Sequence, residues 1–308
     1  MSNPPSIAST AARIDGRDLN RLGAIAREIA WGAADILVPH HGNATGGLRV
    51  RHQADGPVTS ADLAASHYIL QQLRVAVGSQ DYAFVSEETY KLDPDSRDRC
   101  RHDWVWIIDP IDGTRSFIHG DPNYAIHIAL AYRGRPAVAV VAIPAADKLY
   151  YAHLGGGAFL ETRDGQQTRV RVSPRDRLQE LCVVTRRSDR DSRLYQLLAH
   201  LPCRHRPQLG SIGCKMAALI EGNGDAYISL SGRTAPKDWD LAAPELILTE
   251  AGGRCTYLDG TPLQYNRADI SQWGCAIAST GGCHDALRSA IARGLSEIDR
   301  RRSQIGSR

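Results

Sequence analysis

The sequence predicts an α/β (α+β) protein in two lobes, mixed α+β as far as Asp164-Gly165 and alternating α/β beyond it. Three observations carry that expectation. A run of β-formers, Trp104-Val105-Trp106-Ile107-Ile108, drives into Asp109-Pro110-Ile111-Asp112 and turns at Gly113-Thr114. Apolar runs separated by turns follow it and pair as antiparallel hairpins. After residue 165, short β-forming runs alternate with segments of helical period. At 308 residues the chain can bury a sizeable core. The expected division is a flexible start at 1–17, a lobe at 18–164, a second lobe at 165–295 and a basic flexible tail at 296–308.

In chain order, Leu22, Ile25, Ala26, Ile29, Ala30, Ala33, Ile36 and Leu37 recur at three and four, marking an amphipathic helix from Leu19 that Gly42 and Gly46-Gly47 end. Asp55-Gly56-Pro57 is a turn. Thr59 or Ser60 then caps a helix carrying Leu63, Ile69, Leu70 and Leu73. Asp62 falls in its first turn, where the macrodipole alone explains an acid. Ala83-Phe84-Val85-Ser86-Glu87-Glu88 reads as a short strand ending in two acids, only one of which can face a common site. A charged linker from Lys91 to Asp103 leads to the strand at Trp104.

Beyond Phe117, residues 124–132 and 137–143 answer one another across Arg133-Gly134-Arg135-Pro136 as a hairpin. His127, on an apolar strand, reads as a core histidine rather than a ligand. Residues 148–152 and 158–160 form a further pair around Gly155-Gly156-Gly157, a hairpin turn rather than a phosphate loop, since it opens no helix. The second lobe reads as strand 181–184, a helix near 191–200, helix 213–222 and strand 226–230, then helix 240–251, strands 254–258 and 275–278 and a last helix 283–293. Gly252-Gly253 closes the 240–251 helix, Asp240 opens it, and Pro244 suits its first turn.

Composition excludes several classes of function. Hydrophobic residues at 43% and charged residues at 23% describe an ordinary soluble globular protein. A net charge of +3, part of it from Arg300, Arg301, Arg302 and Arg308, is too small to imply a nucleic-acid partner. Seven scattered cysteines, odd in number and without a CxxC pair, fit reduced thiols in a cytoplasm and argue against a zinc site. No apolar run approaches membrane-spanning length, and Met1-Ser2-Asn3-Pro4-Pro5 is not a signal peptide.

The chemistry begins with Asp109 and Asp112. A buried strand that delivers two carboxylates side by side needs a cation to neutralise them. An Asx-capped turn would need only one acid. Glu87 and Asp240 likewise sit at the ends of strands or starts of helices, with no matching basic partner nearby in sequence. Such a set suits magnesium, which takes carboxylate oxygens, keeps waters and works with substrate phosphate. Two ions about 4 Å apart activate a water and stabilise a leaving oxygen. The Gly113 and Thr114 amides are placed to cradle phosphate oxygens.

The motifs Ser86-Glu87-Glu88, Asp109-Pro110-Ile111-Asp112-Gly113-Thr114 with Phe117, and Trp239-Asp240-Leu241-Ala242-Ala243 running into Glu250-Ala251-Gly252-Gly253 resemble those of the lithium-sensitive, magnesium-dependent phosphatases that include inositol monophosphatase. The resemblance spans roughly residues 20–290. Within that group it is closest to the 3'(2'),5'-bisphosphate nucleotidases, through Gly56-Pro57-Val58-Thr59-Ser60-Ala61-Asp62, Ser211-Ile212-Gly213-Cys214-Lys215, Lys237-Asp238-Trp239-Asp240 and Ala243-Pro244-Glu245. It implies the layered αβαβα sandwich shared with fructose-1,6-bisphosphatase, two or three Mg2+ ions per site, a small phosphorylated substrate, and allows a homodimer. It makes Glu87, Asp109, Asp112 and Asp240 side-chain metal ligands and Ile111 a ligand through its carbonyl. Asp62 and Thr114 become the pair that orients and deprotonates the attacking water, with Glu88 supporting the ligands. Gly113, Thr114, Asp240 and Arg233 are the expected substrate contacts. Arg233 stands where the inositol enzymes carry an acid, and an arginine there suits a second anionic group, such as that of adenosine 3',5'-bisphosphate (PAP), better than a polyol. Inositol phosphates and sugar bisphosphates are the alternative substrates, and a non-catalytic anion-binding role is the reading from another class.

Overall fold

The computed structural model describes residues 12–43, 47–53, 56–78, 80–93, 97–185, 192–202 and 204–305. Residues 1–11 of the expected flexible start, Asp55 of the expected turn, residue 191 of the expected helix, Cys203 and residues 306–308 lie outside them.

A small ribbon, β1 (Arg13–Ile14) with β2 (Arg17–Asp18), leads into α1 (Leu19–Leu37). The Asp18 carboxylate caps α1 by accepting from the Asn20 and Arg21 amides. Its buried stripe of Leu19, Leu22, Ala26, Ile29, Ala33 and Leu37 matches the sequence periodicity. A second ribbon, β3 (Val50–Gln53) with β4 (Gly56–Thr59), delivers the chain to α2 (Ser60–Val77). Thr59 is the cap, and Asp62 closes a reciprocal capping box with it. Leu63 lies on the outer face of α2, 44% exposed, rather than on its core stripe.

The strand expected to end at Glu88 ends at Ser86. β5 (Ala83–Ser86) gives way at once to α3 (Glu87–Leu92), because the Ser86 hydroxyl accepts from the Thr89 amide and the Thr89 hydroxyl accepts from the Ser86 amide. β6 (Trp104–Asp112), buried at every position, runs parallel to β5 and ends in α4 (Thr114–Ile118). β7 (Ala125–Tyr132), β8 (Arg135–Ile143), β9 (Lys148–His153), β10 (Gly157–Thr162) and β11 (Gln167–Val170) follow as an antiparallel meander. Together they make a seven-stranded sheet in the order β11-β10-β9-β8-β7-β6-β5.

Next come β12 (Cys182–Thr185), α5 (Arg193–His200), β13 (Arg204–Gln208), α6 (Ile212–Ile220) and β14 (Ala226–Leu230). They are followed by α7 (Asp238–Glu250), β15 (Arg254–Tyr257), β16 (Cys275–Ser279) and α8 (His284–Ile305). The five-stranded sheet has the order β13-β12-β14-β16-β15, with β12 parallel to both neighbours and β16 antiparallel to both of its own. The strand at Arg204–Gln208, rich in charge, was not expected. α7 begins at Asp238, so Pro244 lies inside the helix rather than in its first turn, and it has no N–H to return to the Asp240 carbonyl. α8 continues well past residue 293, carrying Arg300 to Arg302 on a helix.

Successive side chains sort the sheets into layers. Trp104, Trp106 and Ile108 of β6 pack with α1 and α2, whereas Val105 and Ile107 face α6 and α7. Val184, Tyr227 and Ala278 of the smaller sheet close on the same α6–α7 layer, and Val183, Ala226 and Ile277 pack against α5 and α8. Helices, large sheet, helices, small sheet, helices: this is the five-layer αβαβα sandwich.

Candidate metal centre

The site forms where β6 breaks its ladder. Asp109 opposes His127 and Asp112 opposes Ala125, so three residue steps on β6 match two on β7. At a spacing of three a regular strand would send the two aspartates to opposite layers. The extra residue returns Asp112 to the Asp109 face, toward α6 and α7. Asp240, in the first turn of α7, meets them there. One carboxylate oxygen from each of Asp109, Asp112 and Asp240 lies within 4.8 Å of the other two.

Each carboxylate is oriented by protein donors. Asp109 accepts from the Ile111 amide at 3.0 Å. Asp112 Oδ2 accepts from the Ser211 hydroxyl at 2.6 Å and the Gly213 amide at 2.9 Å, and lies 3.2 Å from His127 Nε2. Asp240 accepts from the Lys237 amide at 2.6 Å. Burial first, and then the charges of Glu87, Asp112 and Asp240, push the Asp109 carboxyl well above the usual range. Burial and then Asp112 also raise Asp240. For Asp112, burial acts upward but is outweighed by His127, Lys215 and Ser211, and the net direction is down. Three clustered carboxylates, two of them buried and the third half-buried, with Asp112 raising both Asp109 and Asp240, form an all-oxygen donor set. That is the chemistry of a hard divalent-cation site.

Glu87 and Glu88 open α3 rather than end a strand, and the helix gives them a basic partner that their sequence spacing on a strand would not. Lys91 Nζ lies 2.9 Å from Glu87 and 3.0 Å from Glu88. The expectation that Glu87 lacks a nearby basic partner is therefore wrong. Asp62 is buried, bonded through one oxygen to the Thr59 amide at 2.7 Å and hydroxyl at 2.5 Å, and pushed up to about 7, first by burial. The charges of Glu87 and Glu88 push it up further, and its own charge contributes to raising Asp109. The Thr114 hydroxyl donates to the Ile111 carbonyl at 3.1 Å, so in this structure it is engaged there rather than with Asp62.

Gly113 caps α4 with φ +94°, and a Cβ on it would meet the Asn123 carbonyl at 3.0 Å. Arg233 is exposed in the loop between β14 and α7. Three contributors escaped sequence reasoning: Ser211 and His127, which orient Asp112, and Lys91. Ser211 lay in a quoted motif without a role. His127 is the buried core histidine expected, but only the register of β6 on β7 reveals that it faces Asp112.

The sequence profile described as the inositol monophosphatase family matches residues 18–298. A 3'(2'),5'-bisphosphate nucleotidase, CysQ of Salmonella typhimurium, is 31% identical over 240 residues, covering 77% of this chain and 91% of the relative. An inositol-1-monophosphatase of Mesorhizobium japonicum is 32% identical over 248 residues, covering 78% and 84%. The solved structure of an IMPase from Thermotoga maritima superposes with a TM-score of 0.73 at 27% identity, over 91% of this chain and 99% of that one. Fold, acidic cluster and sequence agree, and the chain belongs to the inositol monophosphatase family, a family of phosphatases.

Proposed function

We propose that the protein is a magnesium-dependent phosphomonoesterase acting as a 3'(2'),5'-bisphosphate nucleotidase, converting PAP to AMP and phosphate. The observation that carries the hydrolytic reading is the convergence of Asp109, Asp112 and Asp240. Together with Glu87 and the Ile111 carbonyl they are the residues that would hold Mg2+. Bound there, the ions supply positive charge to the phosphate oxygens and acidify water. Asp62, near neutrality at about 7, is poised to accept a proton from the attacking water at the oxygen that Thr59 does not occupy. Thr114 joins it by turning its hydroxyl from the Ile111 carbonyl. Glu88 supports Glu87 through their shared Lys91. The Gly113 and Thr114 amides and Asp240 contact the substrate, and the exposed Arg233 takes its second anionic group.

No disulfide joins two of the six described cysteines, and five of the six are buried, which fits the cytoplasmic setting proposed here. No described helix is long and apolar enough to cross a membrane. A second reading, hydrolysis of inositol phosphate, has the support of the Mesorhizobium relative at nearly the same identity. Phosphate release from PAP, inositol 1-phosphate and fructose 1,6-bisphosphate, followed with malachite green, separates them. PAP is expected to be the best substrate, and a clear preference for inositol 1-phosphate would overturn the nucleotidase assignment. Full phosphate release by Asp112→Asn would overturn the metal mechanism itself.

A further inference from the structure

Asp240 is placed by more than its own helix. The segment that enters α7 runs antiparallel to part of the loop between β15 and β16, with Lys237 paired to Ser271. The Asp238 amide donates to the Ile270 carbonyl at 3.0 Å, and the Gln272 amide donates to the Pro236 carbonyl at 2.7 Å. Lys237, whose amide orients the Asp240 carboxylate, has its Nζ 2.9 Å from the Ser271 hydroxyl. The buried Asp238 turns its own carboxylate to the same loop. It accepts from the Gln272 side chain at 2.6 Å and from the Asn266 amide at 2.7 Å. The first turn of α7 is thus bound to residues 266–272 by main chain and side chain alike.

That loop is fastened in turn to the first lobe, at Asn266. Its Oδ1 accepts from Arg99 Nη1 at 3.0 Å, and its Nδ2 donates to the Arg99 carbonyl at 3.0 Å. Arg99 is buried in the short helical turn Asp98–Arg101 that leads into β6. Its planar fork also donates to the Arg267 and Ala268 carbonyls, at 2.8 and 3.4 Å. Asn266 has φ +56°, a left-handed conformation that asparagine adopts more readily than most residues. So placed, it meets Arg99 with its side chain and Asp238 with its amide.

We propose that Asn266 is a positioning residue, a latch that fixes the first turn of α7, and with it Asp240, relative to the strand β6 that carries Asp109 and Asp112. Apolar burial along α7 is non-directional, whereas hydrogen bonds hold angle as well as distance. A shift of about 1 Å in a reacting constellation can cost about a hundredfold in rate. The inference rests on the hydrolase reading above and concerns the placement of Asp240, not the choice of ion or substrate.

Hydrogen–deuterium exchange on the metal-free full chain tests the latch without turnover. Phosphate release at saturating MgCl2 complements it, with whichever of PAP, inositol 1-phosphate and fructose 1,6-bisphosphate turns over fastest. Asn266→Gly keeps the left-handed backbone and the amide bond to Asp238 and removes only the side chain that meets Arg99. It is expected to speed exchange in residues 237–241 about tenfold while leaving residues 104–112 unchanged. It should lower kcat by on the order of tenfold with KM within about threefold. Asn266→Asp, which keeps the oxygen that accepts from Arg99, should restore most of both. In an Arg99→Met background, Asn266→Gly should change kcat by less than about twofold, since the latch is already open. An Asn266→Gly variant as active and as protected as the wild type would overturn the proposal, because Asn266 would then serve only its own turn. Exchange that rises equally over 104–112 would overturn it too, by assigning the loss to global stability. A wild-type chain that releases phosphate from none of the three substrates would refute the hydrolase reading instead, and the exchange rates would still decide the role of Asn266.

Discussion

Asp112 commits one carboxylate oxygen to the protein. The Ser211 hydroxyl, the Gly213 amide and His127 all address Oδ2, so in the proposed centre Oδ1 is the oxygen that would serve a cation. In the proposed centre Ser211 would thus act at one remove from the metal, and it also caps α6 by accepting from the Cys214 amide. Ser211→Ala is expected to weaken Mg2+ binding by about 10–100-fold and to lower stability by about 1 kcal/mol through the lost cap. A metal titration and a urea melt on the same variant separate the two effects, and unchanged ion affinity would show that Gly213 and His127 suffice to orient Asp112. None of this was legible at the level of single residues. Sequence places Ser211 in a motif and His127 in an apolar strand. Which carboxylate oxygen they address depends on how α6 and β7 meet β6.

Secondary structure was legible where one signal dominated. α1 follows its stripe from Leu19 to Leu37, and β6 follows its apolar run into Asp112. It was misread where two signals competed. Val85-Ser86-Glu87 continues a strand pattern, but Ser86 and Thr89 exchange hydrogen bonds with each other's amides, and local capping wins over the continuing pattern. That one substitution of helix for strand hid Lys91 from view, because four residues are neighbours on a helix and strangers on a strand. β13 was missed for the opposite reason. Its residues Arg204, His205 and Arg206 offer no apolar pattern, and only pairing alongside β12 makes a strand of them. At the start of α8, His284 is buried between the Thr256 hydroxyl at 2.9 Å and the Ser279 hydroxyl at 2.7 Å. Burial, and then Arg254, lower its pKa from 6.5 to about 4, so the folded protein keeps it neutral where the unfolded chain protonates it. Its contribution to stability is therefore complete above pH 6.5 and is lost progressively as pH falls toward 4. Urea unfolding at pH 7 and pH 5 should show a smaller loss of stability in His284→Gln than in the wild type. Equal losses would assign the acid sensitivity to other groups.

At the scale of the whole molecule, α7 is the middle of the sandwich. It packs on β6, β7, β8 and β9 of the large sheet and on β15 of the small one, and its first turn supplies Asp240. Asp109 and Asp112 come from the large sheet alone. An ion on these three carboxylates would therefore join layers that the unfolded chain holds far apart, and binding there is binding to the folded state. Mg2+ at about a hundredfold excess over its Kd should raise the unfolding free energy by about 2.7 kcal/mol, and EDTA should remove the gain. A melting curve indifferent to both would show that no ion bridges these layers.

The irregularity in β6 has one more consequence. Two acids at alternate positions of a regular strand would share a face without any bulge, so alignment of the carboxylates does not by itself call for the additional residue. What that residue adds is main chain that the ladder passes over. The pairing skips Pro110 and Ile111; the Ile111 amide turns to Asp109 and its carbonyl receives the Thr114 hydroxyl. This oxygen can change partners without unzipping a strand. In the reading proposed here it is also the one ligand that point mutation cannot erase, since every amino acid placed at 111 brings a carbonyl with it. Each carboxylate is a single substitution from loss, whereas this donor is inherited with the shape of the backbone.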